Sequence, residues 1–238
     1  MTMKPFVNVQ AFTQDIDSGS LGMLGMVIHR FDEPGDYQIS IYQGERLDRT
    51  VRLKLNKESR TMQLNVDLAS EQKNIGRDCH CKEDDPRELE MAPQGHIVFY
   101  VSHGLGGHRV SVTRAAERPV KSFDSVELGS GDIFVANLVR PGTYSVSNVL
   151  SNAKGAIVVS YPQVGRTRYT PPEPLTIDSA HTFSQENIKI QPGQGQIYRI
   201  KDKSRIKIQL VKPDDGPSKK PEGISWKKLQ PKSGGRKV

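Results

Sequence analysis

The stretch Leu138-Val-Arg-Pro-Gly-Thr-Tyr144 decides the fold class, and it has an echo at Pro34-Gly-Asp-Tyr-Gln-Ile39. Both copies follow an apolar segment and share the pattern Pro-Gly-x-Tyr-x-aliphatic. In β-sandwiches, a Tyr at a strand-entry corner can return its hydroxyl to the backbone while its ring fills the core edge. We therefore predict a tyrosine corner at Tyr144 and only a local turn at Tyr37. The repeated motif has two interpretations: a coincidence of common Pro-Gly turns, or a duplicated unit.

Apolar and polar residues alternate with period two on both sides of these turns, which is typical of half-buried strands. The clearest examples are Tyr37–Tyr42, Val51–Leu55, Met62–Leu68, His96–Val101, His108–Thr113, Asp132–Leu138, Thr143–Val149 and Gln196–Ile200, and shorter candidate strands lie at Phe6–Phe12 and Ser125–Leu128. No segment carries a sustained 3.6-residue apolar repeat, and many short strands with regular turn signals suggest sandwiches or barrels. The pattern predicts an all-β protein built from two antiparallel β-sandwich-like domains with a disordered basic C-terminal tail.

The predicted domain limits follow the breaks in this pattern. Residues 1–115 form an N-terminal β-sandwich that contains a charged loop at 69–93, and 116–211 form a second sandwich. Residues 212–238 form the tail, which is too poor in apolar residues to bury a core. The net charge is +7, and the tail supplies most of it through eight basic residues against three acidic ones.

Composition also bears on the compartment. No apolar run approaches the roughly 18 residues of a membrane helix, and the N-terminus lacks the apolar stretch of a signal peptide. Cys79 and Cys81, the two cysteines, cannot build a disulfide framework, and reduced thiols are the simpler reading. These features predict a soluble, cytoplasmic protein without a transmembrane segment.

Two stretches carry a family resemblance. The segments Val126–Gly129, Arg140–Val146 and Lys154–Val159 resemble the closing strands of cupredoxin-like domains, and Phe183–Gly193 resembles their opening strands. Many immunoglobulin-like sandwiches would show the same likeness. A blue-copper site needs a Cys and two His, and the segment between Tyr144 and Gly155 has no Cys, His or Met. The resemblance therefore implies a copper-free sandwich that serves as a binding or structural module.

One group of residues could bind a metal ion. Cys79 and Cys81 lie on either side of His80, while His103 and His108 flank a glycine-rich turn. Thiolate and imidazole ligands suit Zn²⁺, although Cys-x-Cys is tighter than the usual Cys-x2–4-Cys spacing. The alternative is a charged surface loop with incidental thiols. We expect no cofactor, and keep a zinc site at Cys79, Cys81, His103 and His108 as the competing hypothesis.

Other chemistry is weakly indicated. The run Ser102-His-Gly-Leu-Gly-Gly-His-Arg109 could present backbone N–H groups to an anion, but no helix follows it and a plain hairpin turn is the favoured interpretation. No Gly-x-Ser-x-Gly elbow precedes a helix, and no carboxylate pair can be placed from sequence. We expect a non-enzymatic protein, with a hydrolase of unknown substrate as an alternative.

The tail offers a possible contact site. Its basic residues could attract an anionic polymer or surface, and its one apolar cluster contains the only Trp of the chain. The residues predicted to bind a partner are Lys219, Lys220, Trp226, Lys227, Lys228 and Leu229. The sequence thus favours a β-sandwich binding or assembly protein that acts through strand edges, loops and this tail, with a protein partner or self-assembly.

Overall fold

The computed structural model describes residues 15–69, 88–104, 106–161 and 169–214, and these form sixteen β-strands. No helix occurs within those ranges, so none there is long and apolar enough to cross a membrane. The predicted all-β class is confirmed. The predicted strand at 6–12, both cysteines and the six tail residues lie outside the described residues.

The strands fall into two consecutive series. The first comprises β1 (Asp15–Asp17), β2 (Gly25–Arg30), β3 (Gly35–Gln43), β4 (Arg46–Leu55), β5 (Gln63–Asp67), β6 (Glu88–Met91), β7 (His96–Tyr100) and β8 (His108–Arg114). The second comprises β9 (Val120–Asp124), β10 (Ile133–Asn137), β11 (Gly142–Asn148), β12 (Lys154–Val159), β13 (Leu175–Ser179), β14 (Asn187–Ile190), β15 (Gly195–Ile200) and β16 (Ile206–Pro213).

The predicted pair of antiparallel sandwich domains is wrong. The strands form three mixed sheets, arranged as a β-solenoid of about four turns. The central sheet has the order β13-β15-β10-β2-β7-β5, the first flanking sheet β6-β4-β3-β8-β9, and the second flanking sheet β1-β16-β11-β12-β14. Four of the pairings are parallel, namely β4 with β6, β5 with β7, β12 with β14 and β13 with β15. The alternation of apolar and polar residues identified which face of each strand is buried, but not which strand lies beside it.

The two series follow the same path through these sheets. In each, a central strand leads to a flanking hairpin, and the next four strands alternate between the central and flanking sheets. We call β2–β8 the first repeat and β10–β16 the second. They meet where β2 pairs with β10, at the antiparallel partners Val27 and Phe134. The shared strand path is therefore what a duplicated unit, one of the two interpretations of the repeated Pro-Gly-x-Tyr motif, would produce.

The strand before each repeat crosses to the other one. β1 precedes the first repeat but pairs with β16 of the second, and β9 precedes the second repeat but pairs with β8 of the first. The domain boundary at 115/116 falls just before this crossing strand and stays a prediction. The buried apolar side chains of both repeats form one contiguous cluster, whose largest fully buried members include Tyr144, Tyr198, Phe31, Phe99 and Phe134.

Both Pro-Gly-x-Tyr motifs form the same corner. The hydroxyl of Tyr144 donates to the carbonyl of Arg140 at 2.8 Å, and that of Tyr37 donates to the carbonyl of Glu33 at 2.8 Å. The corner predicted at Tyr144 is confirmed, and the purely local turn predicted at Tyr37 is wrong. Burial raises the pKa of Tyr144 to about 12, so the hydroxyl keeps its proton and remains a donor.

Other local predictions need correction. The segments 96–101 and 108–113 do not form a hairpin, because β7 belongs to the central sheet and β8 to the first flanking sheet. The predicted loop at 69–93 contains strand β6, and the predicted strand at 125–128 is a turn. Strand β16 runs to Pro213, so the predicted tail begins inside a strand.

Candidate functional site

The loops at one end of the first repeat hold the described part of the predicted site. Strands β5 and β7 are parallel and end together at the partners Asp67 and Tyr100. The start of β8 lies nearby, because His108 follows Tyr100 by eight residues and the charge of Asp67 acts on its imidazole. We call this region the first loop end: Asp67, Ser102, His103, Gly104, Gly106, Gly107 and His108.

Asp67 organises the first loop end through hydrogen bonds. Its carboxylate accepts the Ser102 hydroxyl at 2.5 Å and the backbone N–H groups of Ala69 and Ser102 at 3.0 and 3.1 Å. Burial alone would raise the pKa of Asp67, but these bonds outweigh it and the pKa is lowered. Asp67 is therefore an ionised anchor that ties the loop after β7 to the end of β5.

Ser102 links Asp67 to His103. The Ser102 oxygen lies 2.7 Å from His103 Nδ1. Because the hydroxyl has one proton, its donation to Asp67 requires His103 Nδ1 to carry a proton and donate to Ser102. This order places Ser102 between the carboxylate and the imidazole. A catalytic triad instead places the imidazole between carboxylate and hydroxyl, so the chain is suited to positioning the loop.

Glycine is required in this loop by backbone conformation. Gly104, Gly106 and Gly107 have φ of 90°, 74° and 81°, a region that residues with a Cβ rarely adopt. A Cβ on Gly106 would also meet the Cα of Gly22 at 3.0 Å. The glycines thus allow the loop to pack directly on the backbone that precedes β2.

His108 is the buried titratable group of the first loop end. It is only 6% exposed, and its Nδ1 has no hydrogen-bond partner among the described residues. Burial lowers its pKa, and the neighbouring Arg49 and His103 lower it further against the opposing influence of Asp48 and Asp67. The imidazole is therefore neutral at physiological pH.

The second repeat fills the matching place differently. Ser204 corresponds to His108, because each exchanges two backbone hydrogen bonds with an equivalent leucine, Leu128 or Leu21. Asn148 Nδ2 donates to Ser204 Oγ at 2.9 Å, and Ser179 Oγ lies 3.2 Å away. This small polar network is internally satisfied, whereas His108 leaves one nitrogen unpaired. The two repeats have diverged in chemistry here while keeping the same backbone.

Arg–Asp pairs fix the crossing strands in both repeats. Arg109 at the start of β8 binds Asp124 at the end of β9 through Nε and Nη2, at 3.3 and 2.8 Å. Arg205, just before β16, binds Asp17 at the end of β1 in the same way, at 3.0 and 2.9 Å. Such bidentate pairs add geometric specificity as well as energy. We call them the first and second clamps.

The serine that follows each clamp aspartate also forms the same hydrogen bond in both repeats. The hydroxyls of Ser125 and Ser18 accept the N–H groups of Val110 and Ile206, at 3.0 and 3.1 Å. Both belong to the motif Asp-Ser-x-x-Leu-Gly, which occurs at Asp17–Gly22 and again 107 positions later at Asp124–Gly129. The two Pro-Gly-x-Tyr motifs have the same spacing of 107. This constant offset is the signal by which sequence reasoning could have found the clamps.

The predicted metal ligands are only partly placed by the structure. It brings His103 and His108 to the same loop, close enough for the charge of His103 to lower the pKa of His108. Among the described residues, no group of three or more His, Cys, Asp or Glu side chains could hold a metal ion. Cys79 and Cys81 lie outside the described residues, so the predicted four-ligand site stays a prediction.

No family model, curated protein or solved structure matches this chain. The resemblance to cupredoxin-like and immunoglobulin-like domains is therefore neither confirmed nor refuted by these comparisons.

Proposed function

We propose that this is a non-enzymatic, cytoplasmic binding or assembly protein that acts through strand edges, loops and its basic tail. The observation that carries the proposal is the outer edge of β5, where outward backbone groups have no hydrogen-bond partner among the described residues. Exposed edges can receive an extended segment of another chain through main-chain hydrogen bonds.

The direction of these backbone groups follows from the strand register. Met62 O accepts from His96, and Leu68 N donates to Tyr100 O, so the even-numbered residues of this segment bond to β7. Backbone groups alternate sides along a strand. Gln63 and Asn65 therefore point their N–H and C=O groups away from the sheet.

The equivalent edge in the second repeat is closed by the chain itself. Asp178 of β13 donates its N–H to Ser184 Oγ at 2.9 Å and accepts the Ser184 N–H at 3.0 Å. Gln185 donates to the carbonyl of Thr176 at 3.4 Å. On β5, Arg49 Nη2 donates to the carbonyl of Asp67 at 2.7 Å. No described residue forms a hydrogen bond with the outward backbone groups of Asn65. The first repeat thus offers an edge that the second closes.

The first loop end also supports a binding role. Its carboxylate, Asp67, accepts hydrogen bonds from backbone N–H groups and from the Ser102 hydroxyl, so it holds the loop in place. The partner is expected to be a protein chain with an extended, edge-pairing segment, or a second copy of this chain.

The basic tail would add attraction to an anionic polymer or surface through Lys219, Lys220, Lys227 and Lys228.

Affinity capture from a native extract tests this proposal. We expect the full chain to recover a partner, and Asn65→Pro to reduce its recovery about tenfold, because proline removes the outward donor. Thr176→Pro makes the same change on the closed edge and should leave recovery unaltered. A chain ending at Asp214 should bind more weakly and with less salt dependence. Equal recovery with Asn65→Pro and Thr176→Pro would remove the edge from the proposal.

A zinc-binding role is the second candidate, and the position of His103 favours it. Ala69 is the last described residue before the segment that carries Cys79 and Cys81, and Asp67 ties Ala69 to Ser102 beside His103. Zinc titration by calorimetry should show one equivalent bound per chain, lost in Cys79→Ser with Cys81→Ser. Unchanged binding in that variant would reject the thiolate ligands. Hydrolase activity stays a prediction that no observed contact favours.

A further inference from the structure

The outer face of the central sheet carries a contiguous apolar band. Two rows of apolar side chains cross it. The first runs over the four inner strands with Ile197, Val135, Met26 and Tyr100, and the second over three of them with Ile133, Ile28 and Val98. We call these seven residues the outer band. Along each strand, these residues alternate with the fully buried Val27, Phe134, Phe99 and Tyr198. The band therefore lies on the face of the central sheet opposite the core.

The outer band is not part of the core. Met26 is 37% exposed, and the other six residues are partly exposed. Several partly buried apolar side chains pack against the core cluster, but none of the seven does. Polar residues end both rows: Thr176 and Asp67 on the edge strands end the first, and Arg199 on β15 and Asn65 on β5 end the second. An apolar patch bordered by polar residues is typical of a docking surface.

The size of the outer band distinguishes between its possible occupants. Seven positions, each about 4.8 Å across the strands by 6.6 Å along them, give an area on the order of 220 Å². A stable dimer needs about 800 Å² from each partner, so two copies packed through this band would be held weakly. One Trp side chain buries roughly 150–250 Å², which matches the band.

We propose that the C-terminal tail of the same chain covers the outer band, with Trp226 as its anchor. The tail leaves the described structure at the correct end of the sheet. Asp214 N donates to Pro141 O at 3.0 Å, and Pro141 follows Asn137, the last residue of the central strand β10, by four positions. The first row of the band lies toward this end, because Val135 is two residues before Asn137.

The tail is long enough for this docking. Trp226 follows Asp214 by twelve residues, which can span about 40 Å when extended. Pro141 is six residues from Val135, at most about 23 Å along the backbone. Ile224 and Leu229 flank Trp226 and supply further apolar surface. This inference goes beyond the proposed function and does not depend on it, since the docking needs no external partner.

Trp226 is the only Trp of the chain, so tryptophan fluorescence reports its environment directly. In the full-length protein we expect emission at shorter wavelength than free indole, protection from acrylamide, and no change with protein concentration. Met26→Lys places a like charge opposite the basic tail and should lower the docking equilibrium about tenfold, which moves emission and quenching toward those of free indole. Val135→Lys should act in the same way.

Leu47→Lys is the matched control, because Leu47 is 50% exposed on strand β4 of the first flanking sheet, away from the outer band. Circular dichroism confirms that each variant is folded. Indole-like emission in the wild type would overturn the proposal, as would protection that survives both Met26→Lys and Val135→Lys. Protection that appears only at high concentration would assign the occupant to a second copy and overturn docking within one chain.

Discussion

Gly142→Ala is expected to destabilise the protein by about 3–4 kcal/mol, much more than the same change at the equivalent Gly35. Both glycines have positive φ, 150° and 144°, so alanine is strained at either position. At Gly142 the new Cβ would also meet the carbonyl oxygen of Lys212 at 2.6 Å and the Cα of Pro213 at 3.1 Å. These atoms belong to the backbone of the paired strand β16 and cannot move without separating the strands.

The Gly35 variant is the internal control. The three atoms nearest to its Cβ all belong to the side chain of Arg114, the first at 3.3 Å, and a flexible side chain yields more easily than a paired backbone. We expect a loss of about 1 kcal/mol there, from backbone strain alone. Urea unfolding midpoints of the two variants measure the difference. Equal losses would show that the two Pro-Gly-x-Tyr corners are packed alike, contrary to the structure.

Arg109→Met is expected to cost about 3 kcal/mol, because it leaves the carboxylate of Asp124 buried without its bidentate partner. The Asp124 side chain is 4% exposed and keeps only Lys121 and the N–H of Val126 as donors. Arg205→Met breaks the second clamp, but Asp17 is 14% exposed and can be hydrated. Its loss should be about 1 kcal/mol. Thermal and urea unfolding of the two variants provide the comparison.

The first clamp also predicts a pH dependence. Burial would raise the pKa of Asp124, but hydrogen bonds from Arg109, Lys121 and Val126 lower it below its ordinary value of 3.8. A lowered pKa in the folded state means that the carboxylate stabilises the fold above pH 3.8 and loses this effect as the pH falls toward the folded pKa. In Arg109→Met the pKa should rise, so acid unfolding should begin at higher pH than in the wild type. An unchanged acid transition would contradict the clamp.

Local features of the fold were accessible from the sequence. Alternation at Tyr37–Tyr42 and Thr143–Val149 predicted β3 and β11, since period two directly reports the buried face of a strand. The corner at Tyr144 was predicted from its turn. Strands β9 and β13 were missed, because Val120–Asp124 is mainly polar and Leu175–Ser179 follows a proline-rich run. The corner at Tyr37 was underestimated because its hydrogen-bond acceptor cannot be identified from sequence.

The candidate site was only partly accessible. His103 and His108 were chosen for their ligand chemistry, but the burial of His108 was not predicted, and the role of Asp67 depends on Ser102, which is 35 positions away. The clamps were missed for the same reason: Arg205 and Asp17 are 188 positions apart. The repeated Asp-Ser-x-x-Leu-Gly motif is the sequence feature that indicates two equivalent Arg–Asp pairs.

The sequence by itself determined that this protein is built from strands, that many strands have one apolar face, and that a Pro-Gly-x-Tyr turn occurs twice, with a tyrosine corner at Tyr144. These properties depend on residues a few positions apart. The tertiary structure alone decided which strands are neighbours: three mixed sheets in place of two sandwiches, with β1 and β9 exchanged between the repeats. Strand pairing joins distant segments through backbone groups that all residues except proline share, so the alternation within one strand does not identify its partner.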